Sequence, residues 1–269
     1  MPASALINVM VAAARKAGRQ LARDFGEVEQ LQVSVKGPAN FVSAADRRSE
    51  QILHDELVRV RPGYGFVMEE RGIVEGTDKS HRWIVDPLDG TTNFLHSIPI
   101  FSISIALERE GKLFAGVIYN PVSDELFTAE RGKGAYLNER RIRVSSRTQL
   151  SESVIVTGIP HLGRGDHDRF LRECQLIMKS VAGIRRTGSA ATDLAWIAAG
   201  RFDGFWEHGL APWDLAAGIM ILREAGGFAS DPQTDADPLV SGDIVAGNER
   251  VHRELRKLTK SISTLAPSE

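Results

Sequence analysis

Cys174 is the single cysteine of the chain, so no disulfide can form within it and a reducing compartment is the natural setting. It falls on the apolar side of a helical pattern running from Phe170 to Met178. The residue six positions on is Ser180, not the arginine that an anion-binding cysteine loop needs, so a core role is expected. Long apolar runs are also missing: nothing approaches the roughly 18 consecutive residues of a membrane span. Arg15 and Lys16 follow the first apolar stretch instead of preceding it, the reverse of a secretory signal. Neither sign of charge dominates. The formal net charge of −2 leaves no basic footprint for nucleic acid or an anionic membrane. A cytoplasmic protein with neither of those partners is expected. Gly132-Lys133-Gly134 is no nucleotide loop, because Leu137 stands where a third glycine is required. His161, Asp166 and His167 match no zinc spacing and read as a surface loop.

What is present begins with an ordinary globular composition, 42% hydrophobic over 269 residues, enough for one large or two modest domains. The most informative stretch is Trp83 to Phe94. Trp83, Ile84 and Val85 are apolar without alternation, as at the end of a strand buried on both faces. They deliver Asp86 and then Asp89, with Pro87 between them to stiffen the turn. Gly90, Thr91 and Thr92 bring free N–H groups and hydroxyls, material for a short helix or a nest facing an anion. Bare carboxylates repel an anion, so two acids beside such a turn imply metal ions that hold a phosphate. A hairpin turn explains Asp89-Gly90 but leaves Asp86, Pro87 and the paired threonines unexplained.

Along the chain, residues 3 to 24 predict a long helix, with Leu6, Met10, Ala13, Ala14 and Leu21 at helical spacing. A strand at Leu31 to Val35 follows. Ser43 and Asp46 resemble a capping pair for a helix that ends before Pro62. Phe66 to Met68 is a short strand leading into Glu69-Glu70. After the aspartate turn, alternation from Phe101 to Leu107 opens a meander through 113–119, 125–129, 135–137 and 142–144. Polar residues from about 140 to 150 suggest a boundary, dividing the chain into 1–145 and 146–269. Beyond it, strands and helices alternate: strands at 154–157, 184–187, 202–207 and 244–246, and helices at 166–181, 190–199, 214–225 and the C-terminus. The fold class is α+β, with an antiparallel meander sheet in the first half and α/β units in the second.

Asp86-Pro87-Leu88-Asp89-Gly90-Thr91-Thr92-Asn93-Phe94 resembles the first signature of the inositol monophosphatase family. Trp213-Asp214-Leu215-Ala216-Ala217-Gly218 resembles the second, and Glu69-Glu70 precedes the first at a fitting distance. The resemblance implies a layered α-β-α-β-α sandwich and Mg²⁺-dependent, lithium-sensitive hydrolysis of a phosphate monoester, myo-inositol 1-phosphate foremost. Histidinol phosphate is the alternative substrate, with nucleotide 3′-phosphates and fructose bisphosphate behind it. It also implies a homodimer. Two or three Mg²⁺ ions are implied, in keeping with an all-oxygen ligand set. Glu69, Asp86 and the Leu88 carbonyl are assigned to one ion, and Asp86, Asp89 and Asp214 to another. In that scheme a metal-activated water, oriented by Glu69 and Thr91, attacks phosphorus, while Gly90 and Thr91 N–H groups bind phosphate oxygens. Gly188, Ser189, Ala190 and Glu207 match positions that contact inositol hydroxyls. Lys36, Asp46 and Glu70 are supporting positions around the ligands. Asp46 also reads as a plain first-turn acid, Lys36 as a solvated turn residue, Glu207 as a strand-end acid and Asp214 as an N-cap. Asn40 and Ala45 depart from the polar residues that relatives often carry. A non-enzymatic interaction protein with the fold retained is the reading from another class, opposed by the intact acid set.

Overall fold

The computed structural model describes residues 4–27, 33–35, 41–161 and 165–262. In the first half the elements are α1 (Ala5–Phe25), β1 (Val33–Val35), β2 (Phe41–Ser43), α2 (Ala44–Val60), β3 (Tyr64–Met68), β4 (Gly72–Val74), β5 (Asp78–Asp89) and α3 (Thr91–Leu95). The meander follows as β6 (Ser102–Arg109), β7 (Lys112–Asn120), β8 (Glu125–Glu130), β9 (Gly134–Leu137) and β10 (Arg140–Ile142). The second half runs β11 (Val154–Thr157), α4 (His167–Met178), β12 (Gly183–Arg185), α5 (Ala190–Ala198), β13 (Gly204–Glu207), α6 (Pro212–Glu224), β14 (Phe228–Ser230), α7 (Pro238–Ser241), β15 (Ile244–Gly247) and α8 (Glu249–Ile262).

The first sheet has eight strands in the order β10-β9-β8-β7-β6-β5-β3-β4. It is antiparallel from β5 through β10, as the meander predicts, but β3 joins β5 in parallel and places Met68 beside Val85. That pairing brings Glu69, just past the end of β3, level with the start of the Asp86–Asp89 bend. The second sheet is β12-β11-β13-β15-β14, parallel across β12, β11 and β13 and antiparallel beyond.

Period-two alternation explains the layers. Phe66, Met68, Trp83, Val85, Ile103 and Ile105 point to one face of the large sheet, where they bury Met10, Leu21, Leu53 and Leu57 of α1 and α2. Val67, Ile84 and Ala106 point to the other face and meet α5 and α6. Both faces being covered, the run Trp83-Ile84-Val85 has no polar alternate. α6 is buried continuously from Leu215 to Leu222, because α5, α7 and β14 cover the sides that the large sheet leaves open, and α5 carries the core on to Val156, Phe205 and Ile244 of the small sheet. A helix apolar all round belongs between two layers. α4 and α8 close the outer face of the small sheet around Ile155, Trp206 and Val245. The order is therefore helices, sheet, helices, sheet, helices, and the central helix pair shares one core with both sheets. Among the described residues no helix is long and apolar enough to cross a membrane.

Candidate active site

β5 carries the aspartate turn at its C-terminal end. Pro87 cannot donate to a ladder, and the β5–β6 register breaks between Asp86 and Asp89. The bend is held from the side by α2, whose buried Ser49 donates its hydroxyl to the Pro87 carbonyl at 2.8 Å. Gly90 follows at φ +97°, where a Cβ would lie 3.0 Å from the Ile100 carbonyl oxygen, so only glycine lets the chain turn into α3 this close to β6. Asp89-Gly90 is thus the entry to a helix and not a hairpin tip.

Each aspartate has one oxygen fixed by a donor of the chain. Asp86 Oδ1 accepts from the Leu88 N–H at 2.8 Å. Asp89 Oδ2 accepts from the Ser189 hydroxyl at 2.6 Å and the Ala191 N–H at 2.8 Å, at the start of α5. Asp214 Oδ2 accepts from the Ala211 N–H at 2.7 Å. The sequence reading opened α6 at Asp214; the helix begins at Pro212 with Ala211 as its N-cap, so Asp214 sits in the first turn and reaches back. Proline suits the first helical position, where its missing N–H costs nothing.

Oxygens of Asp86, Asp89 and Asp214 lie within 4.8 Å of one another, and oxygens of Asp46, Glu69 and Glu70 form a second such group. Burial pushes the Asp86 carboxyl well above its usual range, and Glu69, Asp89, Asp214 and Asp46, all negative, push it further. Burial and then Asp89 raise Asp214 in the same way. Asp89 is pushed up by burial to about 6, the bonds from Ser189 and α5 limiting the rise. Packed carboxylates of this kind are stabilised by a cation, and hard oxygen donors suit Mg²⁺. The donor set fits such ions.

Thr91 donates its hydroxyl to the Leu88 carbonyl at 3.0 Å and lies 3.4 Å from Asp46 Oδ2. Glu50, a turn beyond Asp46 on α2, accepts from the Glu70 N–H at 2.9 Å and pairs with Arg71 at 3.2 Å. Lys36 lies outside the described residues. Glu69, Asp86, Leu88, Asp89, Gly90, Thr91, Gly188, Ser189, Ala190, Glu207 and Asp214 line one cleft of about 780 Å³; Asp46 and Glu70 are not in its lining but group with Glu69.

Sequence reasoning missed several groups here. Asn93 donates to the carbonyls of Ile100 (2.7 Å) and Thr187 (2.8 Å), tying the aspartate turn to the loop before α5. Asp193 is buried in the cleft wall and accepts from the Thr187 hydroxyl; burial, and after it Glu207, raises its carboxyl. His208 lies 2.7 Å from Glu173 and 2.9 Å from Asp243. Burial disfavours its charged ring, but the two carboxylates outweigh burial and carry its pKa up to about 9. For the partners Ser49, Glu50 and Glu173 the available signal was polar residues at helical spacing on an otherwise apolar face: Ser49 and Glu50 in register with Leu53, and Glu173 ahead of Ile177.

Clustered carboxylates at the end of a two-face-buried strand, opening on a cleft between two sheets, are a site suited to divalent cations, and the family that the chain matches makes it a phosphoric monoester hydrolase. The model of the inositol monophosphatase family matches residues 3–264, and the chain belongs to that family. It is 62% identical over 260 residues to an inositol-1-monophosphatase of Mesorhizobium japonicum, covering 97% of this chain and 98% of the relative. It is 42% identical over 246 residues to the Nus factor SuhB of Escherichia coli K12, covering 91% and 92%. The crystal structure of the extragenic suppressor protein suhB from Bartonella henselae superposes with a TM-score of 0.93 at 57% identity, covering 96% of this chain and 99% of that one.

Proposed function

We propose that the chain hydrolyses a small phosphate monoester, myo-inositol 1-phosphate foremost, with Mg²⁺ held by its buried carboxylates. The observation that carries this reading is the convergence of Asp86, Asp89 and Asp214 within 4.8 Å, each with one oxygen already fixed by the protein. Glu69, Asp86 and the Leu88 carbonyl would hold one ion, and Asp86, Asp89 and Asp214 another. When bound, Mg²⁺ supplies a water of lowered pKa and neutralises charge developing on the leaving oxygen. Glu69 and the Thr91 hydroxyl orient the attacking water, and the Leu88 carbonyl fixes the Thr91 rotamer. Gly90 and Thr91 N–H groups bind phosphate oxygens. Lys36, Asp46 and Glu70 stabilise this arrangement from outside it. At the other end Gly188, Ser189 and Ala190 shape the wall, and Glu207 accepts hydrogen bonds from substrate hydroxyls. Residues 1–145 thus supply most of the carboxylates that would hold the ions, and residues 146–269 supply selection together with Asp214. The protein acts as a cytoplasmic homodimer without nucleic-acid or membrane partners.

A panel of phosphate monoesters tests the substrate: inositol 1-phosphate, histidinol phosphate, nucleotide 3′-phosphates and fructose bisphosphate, each with Mg²⁺. The highest kcat/KM is expected for inositol 1-phosphate; a clear preference for histidinol phosphate would replace the reading. Millimolar-range LiCl is expected to inhibit, whereas NaCl at equal ionic strength is not; equal effects would remove the lithium assignment.

A further inference from the structure

Glu207 ends β13, which runs parallel to β11 with Thr157 opposite Trp206. The Thr157 hydroxyl donates to the Trp206 carbonyl at 2.6 Å, so the chain leaving β11 is clamped beside the residue before Glu207. Gly158 comes next, and the Glu207 carboxylate occupies the space where its side chain would be. A Cβ on Gly158 would lie 1.8 Å from Glu207 Oε1, 2.1 Å from Cδ and 2.5 Å from Oε2. The φ of Gly158 is not positive, so backbone conformation does not demand glycine there; space does. The opposing atoms are the end of a rotatable side chain, so a methyl group at 158 displaces the carboxylate before it disturbs the fold. Main-chain adjustment on the far side is restricted, because His208 is held by Glu173 and Asp243, and the Gly209 N–H donates to Asp243 at 3.1 Å.

We propose that Gly158 is a positioning residue for substrate selection: by lacking a side chain it seats the Glu207 carboxylate where it meets the hydroxyls of a polyol phosphate. This inference rests on the role given to Glu207 above.

The test is a double-mutant cycle of Gly158→Ala and Glu207→Ala, measuring kcat and KM for inositol 1-phosphate and β-glycerophosphate at saturating Mg²⁺, with thermal midpoints. Gly158→Ala is expected to lower kcat/KM for inositol 1-phosphate about ten-fold, mainly through KM. For β-glycerophosphate it should stay within about two-fold. In the Glu207→Ala background the same change should have no further effect on selectivity and no cost in thermal midpoint. Loss of selectivity in Glu207→Ala but not in Gly158→Ala overturns the proposal and leaves the Glu207 role standing. Unchanged selectivity in Glu207→Ala removes that role and the proposal with it. Equal losses from Gly158→Ala in both backgrounds, or on both substrates, show that it acts on something other than Glu207. If Gly158→Ala alone folds poorly, the midpoints still decide: its cost must vanish once Glu207 is shortened, and an equal cost in both backgrounds contradicts the proposal.

Discussion

At one end of the cleft, Asp86 and Asp89 leave a single strand within four residues; at the other, Glu207 at the end of β13 fills the space beside Gly158, which follows β11. The acid end is an electrostatic assembly whose carboxylates raise one another: after burial, the largest influences on Asp86 are Glu69, Asp89, Asp214 and Asp46. The selecting end is balanced internally: Arg169 pairs with Glu173 and Asp243 at 3.2 Å each, and His208 sits between the same two acids. Asp86, Asp89 and Asp214 are stabilised by a bound cation, whereas Glu173 and Asp243 already have theirs in Arg169 and His208. Glu207 belongs to neither set: burial and then Asp89 raise its carboxyl to about 7, and it lines the cleft beside the paired acids.

The comparison breaks most sharply at the acid end. Asp86→Asn and Asp89→Asn are each expected to lower kcat by at least about a thousand-fold in folded protein, since each removes charge from the ion-holding set. Near-normal turnover by either would sink the ligand assignment.

At the balanced end the larger expected effect is on stability. His208 has a folded-state pKa near 9 against 6.5 for the free group. Its contribution is therefore fully present below about pH 6.5 and is lost as pH rises through 9. His208→Gln is expected to cost on the order of 3 kcal/mol at pH 6 and much less at pH 10. Denaturant melts of both proteins at the two pH values check this; a pH-independent cost would mean that His208 acts by shape alone.

The smallest effect sharpens the comparison. Burial and then Asp89 raise the Glu207 carboxyl to about 7, so it is ionised above about pH 8. There Glu207→Gln keeps the shape and removes the charge, and selection of inositol 1-phosphate over β-glycerophosphate should fall roughly ten-fold, the value of a charged hydrogen bond. The Mg²⁺ requirement should stay put. A uniform loss on both esters, or a large rise in required Mg²⁺, would move Glu207 into the acid end.

What is legible in the sequence follows the same division. Asp86-Pro87-x-Asp89-Gly90-Thr91 is contiguous, so its chemistry can be read without knowing the fold, and long periodic elements such as α1, α2 and β6 are readable from spacing. β4 and β14 escape because each is three residues long and partly exposed, too short for a period of two to register. The start of α6 is misread because Asp214 reads as an N-cap, whereas Pro212 sets the helix and Asp214 falls in its first turn. Glu173 and Asp193 cannot be told from surface acids until α4 and α5 are docked on the small sheet and bury them. Gly158 is invisible in sequence for the same reason: its meaning is the space left for a carboxylate some fifty residues away.

The most direct test of the acid end is phosphate release from inositol 1-phosphate by metal-stripped protein, with Mg²⁺ titrated back. The account predicts no turnover above background in the stripped protein and recovery as Mg²⁺ fills the carboxylate cluster. Full turnover with every divalent cation removed would contradict it.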